Sequence, residues 1–143
     1  MSKRHKASFA MYLLVILGLY GFGLRYLFKS ELTGYHALAL GQSLSAMSPS
    51  YQIAFLTSYR VDAAGILSMA LAMTFVLFGP FRRGEVWSRW AMTGTGLCYA
   101  TLSLYANLTF TAATGIVAPW PVSVAILVMI ALAHVLAMEK AKV

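Results

Sequence analysis

Three groups of residues in this 143-residue chain are of types and spacings that could do chemistry. Thr95, Tyr99, Ser103, Asn107 and Thr111 follow one another at intervals of four, with Thr101, Tyr105 and Thr109 on an adjacent stripe. Residues four apart stack on one helix face, so the spacing predicts a hydroxyl-rich wall turned toward other helices. Such a wall can line a ligand site, or it can hold helices together through interhelical hydrogen bonds worth ~0.6 kcal/mol each in a membrane. His134 is expected about 9 Å inside Lys140 at 1.5 Å per residue, a depth similar to that of Thr93, Thr95 and Tyr99. Thr95, Tyr99, Ser103 and His134 therefore form a candidate ligand pocket. Its imidazole would donate to a quinone or lipid head group or join a proton relay, and a hydroxyl-satisfied packing histidine is the competing reading.

The second group is Arg25, Arg60, Asp62 and Asn107, all expected at similar depth near an outer boundary. A carboxylate in the first turn of a helix is favoured by the helix dipole. Asp62 could pair with either arginine as a structural ion pair, or the cluster could bind a lipid phosphate or a partner's acidic side chain. A lone acid offers no paired-carboxylate mechanism, so no catalytic residue is assigned. The third group is the loop Arg82, Arg83, Gly84, Glu85 and Trp87. Gly84 permits a chain reversal, Glu85 suits the start of the next helix, and the arginines and tryptophan suit a membrane interface. No metal site or cofactor is expected. Cys98 is a lone cysteine read as a packing residue, and a second haem histidine for His134 is lacking, since His36 belongs to the opposite side and His5 to a short tail.

The elements that must position these residues follow from composition. The chain is 60% hydrophobic and 10% charged, with 11 Lys or Arg against 4 Asp or Glu and a formal net charge of +7. Its mean hydropathy is +0.74. Soluble domains carry about 25% charged residues, so a soluble enzyme is excluded and the bilayer is the expected solvent for most side chains. Ala7 to Leu24 is an uncharged run of 18 residues, enough to cross about 30 Å of hydrocarbon. It is also longer than the apolar region of a usual cleaved signal peptide. Further spans are expected at 61–78, ended by Gly79-Pro80, at 90–111, and at 121–138, started by Pro119-Trp120-Pro121.

The expected fold is all-α, an integral membrane four-helix up-down bundle forming one domain over residues 1–143. Lys3, Arg4, Lys6, Arg82, Arg83, Arg89, Lys140 and Lys142 fall on one side of the spans, against Arg25, Lys29 and Arg60 on the other. This asymmetry places both termini in the cytoplasm and accounts for the basic charge without nucleic acid. Segment 25–60 is too apolar for a solvated loop. It is expected to hold one or two short interfacial helices, the second starting with Ser48 as N-cap and Pro49 at N1 and continuing into the second span. Small residues, Gly18, Gly21 and Gly23 in the first span, Ala64, Gly65, Ser68 and Ala72 in the second, and Gly94, Gly96 and Ala100 in the third, predict close helix contacts or assembly faces.

The run Gly79-Pro80-Phe81-Arg82-Arg83-Gly84-Glu85-Val86-Trp87-Ser88-Arg89-Trp90, preceded by Arg60 and Gly65, resembles the Pro-x-Arg-Arg-Gly-Glu-x-Trp cytoplasmic loop of small four-helix bacterial inner-membrane proteins. The resemblance covers the middle third of the chain. It implies four helices in the inner membrane and carries no activity with it. In size alone the chain is similar to DoxX-type proteins. The first functional expectation is a non-catalytic accessory or assembly subunit, in contact with the lipid bilayer and with a membrane-protein partner or a second copy. A binding or enzymatic bundle for a lipid-like or quinone-like molecule is the alternative. A small transporter comes third, because no span carries a central carboxylate.

Overall fold

The computed structural model describes residues 2–138; Lys140 and Lys142, counted above for orientation, lie outside the described residues. The described residues form helices and connecting turns, with no strand among them. In chain order the helices are α1 (Lys3–Leu27), α2 (Gly34–Leu40), α3 (Pro49–Val76), α4 (Val86–Thr114) and α5 (Trp120–Ala137), with a short 3-10 turn at Leu44–Ala46 and a π turn at Leu77–Phe81. Three helical stretches are long and apolar enough to cross a membrane: Lys3–Leu27, Pro49–Phe81 and Trp120–Ala137. Their outward side chains include Leu14, Leu17, Leu71, Phe75, Val128 and Leu132, which suits contact with lipid. The 29-residue α4 has the length for a crossing, but its hydroxyl-bearing residues keep it out of that apolar set.

Helix ends follow local chemistry. The Ser2 hydroxyl caps α1 by accepting the His5 N–H at 3.1 Å, so the helix begins before the uncharged run does. Ser48 and Pro49 start α3 as expected, and the helix runs without a break from the connecting segment into the apolar span, although the Ser48 side chain makes no cap bond. Pro80 does not end that helix at Gly79. The chain stays helical through Phe81 by widening, with the Arg82 N–H donating to the Leu77 carbonyl at 3.1 Å and the Glu85 N–H to the Pro80 carbonyl at 3.1 Å. A wide turn moves the proline ring away from the carbonyl one turn back, where it would otherwise clash. Gly84 then reverses the chain at φ 82°, a backbone conformation that disfavours a side chain.

Packing is uneven. α1 lies against α3 on one side and α5 on the other, α5 lies against α4, and α3 and α4 meet only weakly. Contacts such as Phe9 with Phe78 and Gly23 with Leu67 show α1 and α3 running antiparallel. Tyr12, Val15, Ile16 and Leu19 recur on one face of α1 and meet Ala70, Met73, Leu77, Phe81, Met92, Ile130 and Ala133 in a single buried cluster. Lipid is as apolar as these side chains, so close packing, more than removal of water, holds this cluster together. The short spacing of small residues predicted more contacts than form. Gly18, Gly21, Gly65 and Gly94 face open space, and only Gly23 and Gly96 meet a neighbouring helix. Cys98 is exposed and does not pack.

The connection between α1 and α3 is ordered, with short helical pieces as expected. Leu32, Leu44 and Met47 are buried against Ala37, Phe55 and Leu56. Tyr59, itself buried, ties the connection down: its Oη accepts the Thr33 N–H at 3.2 Å and lies 2.8 Å from His36 Nδ1. A phenol that accepts from Thr33 still has its proton to give, so neutral His36 is the natural acceptor. Burial, and then the positive charge of Lys29, lower the His36 pKa below its usual 6.5. A base whose pKa is depressed by folding binds fewer protons in the folded state, so stability rises with pH across that window. Acidification below 6.5 is therefore expected to loosen the segment. Limited proteolysis of residues 28–48 should quicken between about pH 7 and pH 5 in the native chain and lose that pH dependence in His36→Gln. Identical pH profiles for the two chains would remove the role of His36.

Candidate functional site

A cavity of about 490 Å³ opens where α3 and α4 diverge. α1 supplies Leu19, Phe22 and Tyr26 to its wall, and α2 supplies Tyr35. α3 contributes Val61, Asp62, Gly65 and Ile66, while α4 contributes Tyr99, Leu102, Ser103, Ala106 and Asn107. Pro119, Val122, Ser123 and Ile126 close it from the α5 side. An apolar hollow with a few converging polar groups is the usual form of a small-molecule site.

The polar side of the wall is built by hydrogen bonds between α4 and α5. Ser103 Oγ lies 3.0 Å from Ser123 Oγ, and Asn107 Nδ2 donates to Ser103 Oγ at 3.5 Å and to Ser123 Oγ at 3.4 Å. Ser123 is buried, so this knot fixes the register of the two helices while leaving the side-chain oxygen Oδ1 of Asn107 without a bond among the described residues. Across the cavity stands Asp62. Among the described residues its carboxylate has no ion pair, the one salt bridge being Arg83 to Glu85 at 2.8 Å.

The structure thus regroups the expected sites. Tyr99 and Ser103 share a wall, but Thr95 and His134 do not belong to it. Thr95 is exposed because a step of four residues turns a helix by about 40° beyond one full revolution, so an i, i+4 stripe winds around it. Two such steps separate Thr95 from Ser103. His134 is eleven residues from Ser123 on α5 and so lies about 16 Å along the axis from the serine knot. Its Nδ1 is 2.7 Å from Thr93 Oγ1, which also lies 2.8 Å from Tyr12 Oη and donates to the Arg89 carbonyl at 2.8 Å. Its ring packs against Trp90, centroids 4.6 Å apart. Its Nδ1 thus meets a hydroxyl, the geometry that the competing reading above expects.

The second expected cluster also divides. Asp62, an exposed residue, and the half-buried Asn107 line the cavity, whereas Arg25 and Arg60, also exposed, are absent from its wall. Arg60 precedes Asp62 by two residues, a spacing that puts side chains on opposite helix faces, and Arg25 is turned about 100° from its cavity-lining neighbour Tyr26. The ion pair expected between Asp62 and an arginine does not form. In the loop, Glu85 accepts Arg83 Nε at 2.8 Å and Trp87 Nε1 at 2.7 Å. These two bonds, Arg83 first, hold its carboxyl below the usual range, while Arg82 remains exposed.

Sequence reasoning missed Phe22, Tyr26, Tyr35 and Ser123 as wall residues. Ser123 had a usable signal, since it and His134 are the polar side chains of an otherwise apolar α5. The aromatic residues had none, because interfacial tyrosines are expected wherever helices end. Among the described residues, no group of three or more His, Cys, Asp or Glu side chains could hold a metal ion. Comparison with protein-family models, curated proteins and solved structures gave no match for this chain.

Proposed function

We propose that this is a four-span inner-membrane protein, an up-down bundle with both termini cytoplasmic, whose cavity between α3 and α4 binds a small amphiphilic molecule. The observation that carries the reading is the cavity itself, about 490 Å³ with Tyr99, Ser103, Asn107 and Asp62 on its wall. The count of positive residues supports the orientation, and the hydroxyl-bearing α4 is the third of the four spans in chain order, tolerated in lipid because part of its polar surface faces other helices and the cavity. The likeness of the Arg82 to Trp87 loop to that of small bacterial inner-membrane proteins agrees with this placement.

A substitution that fills the cavity tests the reading. Gly65 lines the space, and a Cβ built there meets nothing within 4 Å. Gly65→Leu is expected to fold normally and to lose the bound small molecule seen by native mass spectrometry of gently extracted protein. Binding that survives Gly65→Leu unchanged, or the absence of any bound mass, refutes a ligand in this cavity.

One observation favours the accessory-subunit reading as well. Thr95, Cys98, Thr101, Tyr105 and Thr109 are exposed on α4, and Tyr105 is 70% exposed. Polar side chains turned toward lipid are costly unless another helix covers them. The same native spectra would reveal a co-purifying polypeptide, and chains that are monomeric and partner-free throughout would remove this second reading.

A further inference from the structure

Resting on the reading of this cavity as a ligand site, we propose that its ligand is an organic monocation, an ammonium-type head on an apolar body, with Asp62 as the counter-ion.

The argument is one of charge and shape. The cavity wall holds one carboxylate, Asp62, and no Lys, Arg or His. No described Lys, Arg or His forms an ion pair with it; His36 is near enough for the two groups to feel each other, but burial favours its neutral form. An anion in this space would be repelled by that charge, and a neutral molecule seated against it would displace its water without compensation; a cation supplies what is missing. Other groups at the same site suit a cation. Phe22, Tyr26, Tyr35 and Tyr99 contribute aromatic surface, which attracts positive charge within about 6 Å of a ring centre. The side-chain oxygen Oδ1 of Asn107 is a further acceptor, since its amide nitrogen Nδ2 is committed to the two serines. Leu19, Ile66, Leu102, Val122 and Ile126 complete the wall and match an apolar body.

Asp62 also stands apart from the other described carboxylates. Glu85 is engaged by Arg83 and Trp87, and Glu31 belongs to the connecting segment, outside the described helices. Asp62 is the acidic residue carried on a long helix with its charge left for an incoming partner.

The test uses two probes of nearly identical shape and opposite charge, tetraphenylphosphonium and tetraphenylborate, titrated into the purified full chain in a non-ionic detergent by equilibrium dialysis. The phosphonium is expected to bind saturably, one per chain, and at least about tenfold more tightly than the borate, the difference expected of a charge-assisted contact. Asp62→Asn should abolish that preference, and Gly65→Leu should abolish binding of both probes. Equal affinities, or a preference for the borate, overturn the inference even if Asp62→Asn proves unstable, because that comparison needs only the unaltered chain. If both probes bind equally and Gly65→Leu displaces both, the cavity stands as a ligand site and only its charge selectivity is lost. Saturable binding of neither probe, together with no bound mass in native spectra, fails both readings. A long-chain amine retained through extraction and displaced by the phosphonium would identify a membrane-dissolved cation as the natural source, whereas displacement of a short-chain amine would identify a free cation.

Discussion

Gly23→Leu is expected to destabilise the chain by about 1 to 3 kcal/mol, the range for overpacking a close contact, while Gly21→Leu two residues earlier is expected to be neutral or slightly stabilising. A Cβ built on Gly23 would lie 2.7 Å from both Cγ and Cδ2 of Leu67 and 3.4 Å from Cγ2 of Ile66. Moving the Leu67 tip would relieve one of these approaches but not the one to Cγ, so α1 and α3 must separate or α3 must shift. The intrinsic preference of leucine over glycine in a helix, about 0.8 kcal/mol, opposes this cost and is the whole effect at Gly21, where nothing lies within 4 Å. Unfolding midpoints in mixed micelles of dodecyl maltoside and increasing dodecyl sulfate would report both variants. Adding Leu67→Ala to Gly23→Leu should recover much of the loss, since one side chain then occupies the space the other vacated. Equal midpoints for the two glycine variants would refute the close approach of α1 and α3.

The contrast between Gly23 and Gly21 also shows how far the sequence could be read. Long apolar runs and the prolines at 49 and 121 disclosed where the helices lie, because hydropathy and proline geometry act locally. Small residues disclosed that some helices approach closely, but not which of the three glycines at 18, 21 and 23 makes the contact, since that depends on the rotation of α1 against α3. The same gap affected the candidate site. Tyr99, Ser103, Asp62 and Asn107 were recognisable as polar residues in apolar surroundings, and all four line the cavity. Their association into one wall was not recognisable, because it depends on α4 packing against α5 and diverging from α3. The i, i+4 spacing that pointed to Thr95 is a helical approximation that degrades with every turn, and depth placed His134 level with Thr93, the hydroxyl it meets, without separating that residue from Thr95 and Tyr99. Arg25 and Arg60 were grouped with Asp62 by depth, a coordinate that carries no information about azimuth around a helix.

Thr93 is where rotation matters most for stability. Three elements converge on its hydroxyl: Tyr12 Oη from α1 at 2.8 Å, His134 Nδ1 from α5 at 2.7 Å, and its own helix through the Arg89 carbonyl at 2.8 Å. One hydroxyl gives one proton and accepts two. With Thr93 donating to Arg89, it accepts from the Tyr12 phenol and from His134, which assigns the imidazole proton to Nδ1. Thr93→Val keeps the shape and removes both acceptor positions, leaving the fully buried Tyr12 phenol and the His134 N–H without partners. The expected cost is about 1 to 3 kcal/mol, two interhelical bonds plus the penalty of an unpaired buried donor. Thr93→Ser should retain most of the stability, because the oxygen survives. Tyr12→Phe combined with Thr93→Val should cost less than the sum of the two single changes, since the second substitution removes the donor that the first left unpaired. Strict additivity in that double-mutant cycle would mean that Tyr12 and Thr93 are not bonded, and that α1 is held against α4 by its other contacts.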